Sequence, residues 1–130
     1  MSTENKLLVE DFFKALSEGD PEYMDYYTDE TILWTAGDNA IGGTRTKAEI
    51  KEFADGVLST FPNGIKFNIV SMTAEDDRVA VEVRGEAMHA SGKEYNNQYH
   101  FLIKVKDQKI LELREYMDTQ LAAKVLLGEQ

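Results

Sequence analysis

The spacing of apolar residues changes once along this chain, near residue 65. Before that point the period is helical. Leu8, Phe12 and Leu16 recur every fourth residue, and Val9 and Phe13 widen the same stripe, which predicts a helix over ENKLLVEDFFKALSEG. Gly19 is placed to stop it. Asp20 and Pro21 then suit the cap and first position of a second, short helix carrying Tyr23, Met24 and Tyr27 and ending near Thr28. ETILWT is short, β-branched and aromatic, as a strand should be, and GDNAIGGTR predicts a loop or a turn-containing hairpin. Thr46 and Glu49 have the spacing at which a hydroxyl and a carboxylate each satisfy a free backbone amide at a helix start. Ile50, Phe53, Ala54, Val57 and Leu58 continue that helix on one face until Pro62, Asn63 and Gly64 end it.

From Ile65 onward apolar and polar residues alternate. Strands are expected near 65–73, 78–89, 94–106 and 109–117, separated by EDD, SGK and DQ turns. A short helix, TQLAAKVLL, closes the chain against Gly128. Helices followed by a long antiparallel meander predict an α+β layer fold, with helices packed on one face of a curved sheet. No repeat, low-complexity tract or linker interrupts the 130 residues, so a single domain over 1–130 is expected.

Composition narrows the function classes. Acids outnumber bases 24 to 14, a net charge of −10, and no Lys/Arg cluster stands against that field. Nucleic acid and anionic membrane surfaces are therefore poor partners. No apolar run approaches a membrane span, and MSTENK lacks the basic-then-apolar order of a signal peptide. The absence of cysteine removes thiolate chemistry and suits a reducing cytoplasm, the expected location. His89 and His100 have no partners at metal-ligand spacing, so no metal is expected.

The order of elements, with FFKALSEGD in the first helix and REYMD in the closing strand, resembles the NTF2-like superfamily. Within it the chain is most similar to the SnoaL-like and ketosteroid-isomerase-like branch, from about Leu7 to Leu127. That resemblance implies a cone-shaped fold whose sheet wraps a deep apolar pocket, commonly as a homodimer. At the positions where ketosteroid isomerases carry their catalytic Tyr and two Asp, this chain has Phe12, Thr35 and Tyr99, so that machinery is missing. Limonene-epoxide hydrolases carry Arg-x-Asp and a second Asp. The matching positions here read Glu82-Val83-Arg84 and Glu115, with Leu33 and Thr35 where that family helps hold water. Local likeness to the phenazine-biosynthesis A/B proteins runs through LWT at 33–35, Phe61-Pro62, VEVRG at 81–85, YNNQYHF at 95–101 and Arg114-Glu-Tyr-Met-Asp. It implies Glu115 as a proton-transfer group, although KEFADG lacks that family's pocket histidine.

Strand parity puts Glu82, Arg84, Glu86 and Met88 on one face and Val79, Val81 and Val83 on the other. Parity by itself favours the valines as core. The resemblance instead implies that 82 and 84 face the pocket and that the valines serve a dimer interface on the outer sheet face. On that register Asn97, Tyr99, Phe101 and Ile103 point inward, as do Leu111, Leu113, Glu115 and Met117, while Arg114 points outward. The expected catalytic set is then Glu115, Arg84 and Glu82. Trp34, Thr35, Asn97, Tyr99, Phe101, Met88 and Met117 would meet the ligand. Two readings stay open. The charges form an acid–base site for cofactor-free isomerisation, cyclisation, dehydration, condensation or epoxide hydrolysis of a small apolar metabolite, or they form a structural ion-pair network in a binding or assembly module.

Overall fold

The computed structural model describes residues 2–129. Helix α1 (Ser2–Ser17) leads into a short 3-10 helix (Pro21–Tyr26) that Asp20 caps, its carboxylate accepting from the Glu22 amide. Strand β1 spans Tyr27–Thr35, longer at its start than ETILWT suggested, so Tyr27 opens a strand instead of closing a helix. The loop after it is a hairpin, returning as β2 (Gly43–Thr46). Helix α2 (Lys47–Leu58) begins with the expected reciprocal cap between Thr46 and Glu49.

Four strands follow: β3 (Lys66–Glu75), β4 (Arg78–Glu86), β5 (Gln98–Lys106) and β6 (Lys109–Met117), before helix α3 (Thr119–Leu126), capped by Asp118. Strands β4 and β5 are shorter than alternation predicted. Residues 87–97 leave the sheet as a loop whose one bridge joins Met88 to Glu94. The sheet order is β2-β1-β6-β5-β4-β3, and β1 lies parallel to β6 while the other pairs are antiparallel. Register shifts at 27/32, 69/71 and 104/105 mark bulges, which bend strands and increase twist.

Two apolar clusters cover the concave side. The larger joins α1 (Val9, Phe12, Phe13) to Val79, Val81, Val83, Phe101, Ile103, Ile110 and Leu113. The smaller gathers Ile41, Phe61, Ile65, Tyr95, Ala122 and Val125 at the other end, under α2 and α3. The valines of β4 are thus fully buried inside the chain, in the cluster that α1 shares, and are not available to a dimer seam. Parity had the correct answer for β4, and the resemblance displaced it. The reason is that one face of β4 receives α1, so only the opposite face remains for charged side chains. No helix among the described residues is long and apolar enough to cross a membrane.

Candidate active site

Between the two clusters the concave side leaves a cavity of about 140 Å³. Its wall is aromatic and aliphatic: Phe12, Phe53, Phe67 and Phe101, with Leu33, Ile50, Leu113 and Leu126 among the aliphatics. The lining residues that carry side-chain oxygen are Glu115, Tyr23, Tyr27, Tyr95 and Tyr99. Among the described residues, Glu115 is the one charged side chain on this wall.

Strand geometry places it there. Along β6, Leu113, Glu115 and Met117 face inward by the two-residue period, and Glu112, Arg114 and Tyr116 face outward. Leu111 breaks the expected run. The bulge that shifts pairing from Lys104–Glu112 to Val105–Ile110 makes it the extra residue, so Ile110 and Leu113 are both core while Leu111 stays half-buried. Glu115 pairs in register with Thr35 of β1 and Phe101 of β5. The buried Thr35 hydroxyl donates to Glu115 Oε1 at 3.0 Å.

Burial pushes the Glu115 carboxyl up from 4.5 to about 7, against the opposing pull of the Thr35 hydrogen bond and of the Arg45 charge. Arg45 stands back from the carboxyl. It donates to the Ile41 carbonyl at 2.6 Å and lies over the Phe53 ring at 3.9 Å. A carboxyl with such a value is divided between its two protonation states near neutrality, the condition under which one group can both give and take a proton. The surrounding phenols are held protonated. Burial raises Tyr27, Tyr95 and Tyr99, and the nearby Glu115 charge adds to each. The Tyr23 hydroxyl is sealed from solvent and has no hydrogen-bond partner among the described residues.

The predicted site residues divide sharply. Glu115, Tyr99, Phe101 and Met117 line the cavity, and Thr35 supports Glu115 from β1. Glu82 and Arg84 do not. They pair with each other at 3.2 Å on the opposite face of β4, with side chains 38% and 50% exposed, facing a shallow surface groove. Trp34 also lies on that outer face, against Tyr116 and under the Arg114 guanidinium, which is 4.4 Å from its ring. Met88 is a surface residue beyond the end of β4. Asn97 is fully buried but sits behind the wall, bonded to Tyr95 and to the backbone. His89 bonds Ser91 and His100 faces the outer groove; among the described residues no group of three or more His, Cys, Asp or Glu side chains gathers at a metal-binding distance.

Tyr23, Tyr27 and Tyr95 were missed. Tyr27 read as a helical residue, and Tyr95 lies in the irregular loop where strand parity has no meaning. The alternation in the sequence carried no signal for either residue.

A curved sheet backed by helices, with an apolar cavity and one half-buried carboxyl on its wall, is the architecture of the NTF2-like fold. The chain belongs to the SnoaL-like domain family, whose model matches residues 9–113. Solved structures agree on the fold. PrhC from Penicillium brasilianum superposes with a TM-score of 0.88 at 16% identity, over 97% of this chain and 87% of PrhC. An NTF2-like protein from Burkholderia xenovorans gives 0.76 at 23% identity, over 96% and 97%. TerC, co-crystallised with polyporic acid, gives 0.82 at 19% identity, over 95% and 98%. Among curated protein sequences there is no significant match.

Proposed function

We propose that this SnoaL-like chain is an enzyme that performs general acid–base chemistry on a small, largely apolar molecule, with Glu115 as the proton carrier. The observation that carries this reading is a single half-buried carboxyl, poised near neutrality, on an otherwise apolar and phenolic wall. Isomerisation, cyclisation, dehydration, condensation and epoxide hydrolysis all need a proton taken from one atom and returned to another, and a carboxyl of this kind does both. The apolar wall selects the body of the ligand, while the phenols supply hydrogen bonds to its oxygen atoms. The crystallisation of TerC with polyporic acid supports reading the cavity of this fold as an organic-ligand site. The chemistry needs no metal or redox group, because the proton is supplied and received by the chain. Glu82 and Arg84 have no part in it.

A thermal-shift screen against small ketones, phenols and epoxides identifies ligands by the stabilisation that binding confers. Each hit is then tested for turnover by the wild type and by Glu115→Gln. Loss of turnover with binding retained supports the proposal. Turnover at the wild-type rate by the variant overturns it, and binding without turnover of any hit favours a non-catalytic ligand-binding module.

A further inference from the structure

Four hydrogen bonds of the Asn97 side chain, behind the cavity wall, fix the direction of one hydroxyl on it. The Asn97 carbonyl oxygen Oδ1 accepts from two backbone amides, Gln98 at 2.7 Å and Asp118 at 3.0 Å. A backbone N–H can only donate, so the side-chain amide has one possible orientation. Its Nδ2 must face the other way, where it donates to the Tyr95 hydroxyl oxygen at 3.0 Å and to the Asp118 carbonyl at 3.2 Å. The Tyr95 oxygen is thereby an acceptor from behind, and its own hydrogen has to leave in another direction. What it meets there is the Met117 sulfur at 3.9 Å, a weak acceptor that itself lines the cavity. The neighbouring Tyr99 phenol acts on the Tyr95 oxygen as a second donor and does not take that hydrogen. Tyr95 is 2% exposed, so no bulk water competes for that hydrogen.

We infer that Tyr95 is a pre-set hydrogen-bond donor to an acceptor oxygen of the ligand, with Asn97 as the positioning residue that sets its direction. This inference rests on the cavity being the ligand site and adds the class of ligand: a molecule carrying a carbonyl oxygen that replaces the Met117 sulfur as acceptor. Glu115 and Tyr95 line the same cavity, so one ligand can meet both donor and proton carrier. When the Glu115 carboxylate takes a proton from a carbon beside that carbonyl, the C–H bond breaks and the carboxyl O–H bond forms. The electron pair moves onto the carbonyl oxygen, where the Tyr95 O–H is already aimed; a donor in place beforehand needs no reorganisation at that moment. Burial holds the phenol in its protonated, donating form. Gly85 helps to keep the support in place. Its amide donates to the backbone carbonyl of Asn97 at 2.8 Å, and a Cβ there would stand 3.1 Å from the Tyr99 ring.

The test uses acetophenone and α-methylstyrene, two probes of one shape that differ by a carbonyl oxygen and a methylene. In the wild-type protein the carbonyl stretch of bound acetophenone is expected at lower frequency than in dry hydrocarbon. Tyr95→Phe should remove that displacement and weaken acetophenone about tenfold, the worth of one hydrogen bond, while α-methylstyrene changes by less than about twofold. Asn97→Asp still accepts from the two amides but presents an oxygen to Tyr95, which draws its hydrogen away from the cavity. The displacement should vanish there too, with Tyr95 still present. An equal stretch in wild type and Tyr95→Phe overturns the assignment whatever Asn97→Asp does. Glu115→Gln should keep the displacement, so a failure of the proton-carrier reading alone leaves this result standing. Saturable binding of neither probe overturns both.

Discussion

Strands β4 and β6 each carry an acidic residue that the family resemblance pointed inward, and the chain treats them in opposite ways. Glu115 of β6 lies on the cavity wall with one hydroxyl donor, and its carboxyl is pushed to about 7. Glu82 of β4 lies on the outer face, where Arg84 and water share its charge. Alternation puts Glu82 on the side opposite Val81 and Val83 and Glu115 on the side of Leu113 and Met117, but it does not by itself say which side is covered. What differs is the layer above each strand. The inner face of β4 is filled by valines in the core that α1 shares, whereas the inner face of β6 meets the gap between the two apolar clusters. A carboxyl is tolerated inside only where the packing leaves space around it and a donor beside it.

The contrast is testable in order of size. Glu115→Gln should lower turnover of any substrate by about 10²–10⁴-fold, the usual weight of a positioned acid or base, read as kcat on the screened ligands. Arg84→Ala or Glu82→Ala should leave kcat within about twofold, and a larger fall for either would erase the distinction between the faces. The next effect is on stability. The folded-state value of Glu115, about 7, lies above its ordinary value of 4.5. The folded protein therefore holds this proton more tightly than the unfolded chain, and stability falls as pH rises through that window. The total is roughly 3–4 kcal/mol, at about 1.4 kcal/mol for each tenfold change in proton affinity. Glu115→Gln lacks this slope, so it should unfold in denaturant at higher midpoint than wild type at pH 8 and at a similar midpoint at pH 4.

Thr35→Val is expected to act more gently. It deletes the donor that favours the ionised carboxylate, so the Glu115 titration should move further up, by an amount worth about 1 kcal/mol, seen by ¹³C NMR of the labelled carboxyl. A titration unmoved by this change would mean that the hydroxyl does not hold the carboxylate. The smallest effect belongs to the outer ion pair. Arg84→Ala should change stability by less than about 1 kcal/mol, as exposed pairs usually do, and a denaturation midpoint displaced by much more would show a structural role.

Much of the scaffold was readable because local signals carry it. The Thr46–Glu49 cap, the stripe of Leu8, Phe12 and Leu16, and the turns at 76–77 and 107–108 all act within a few residues. Glu115 was legible too, since parity along β6 from Leu113 survives intact. The misplacements have two causes. For Glu82, Arg84 and Trp34, which face was core depended on where α1 and the two clusters settled. For Asn97 and Tyr95, the segment is a loop, so no period could assign a direction.

The sequence by itself determined the element types, the α+β class and one acid in a strand otherwise suited to a core, because period, capping and turn chemistry are short-range properties. Only the tertiary structure decided that the acid is solitary, that phenols from the 3-10 helix, β1, the loop and β5 surround it, and that Asn97 aims Tyr95. Those facts depend on side chains as far apart in the chain as Phe12 and Leu126 meeting at one cavity, and on which face of each strand another layer covers.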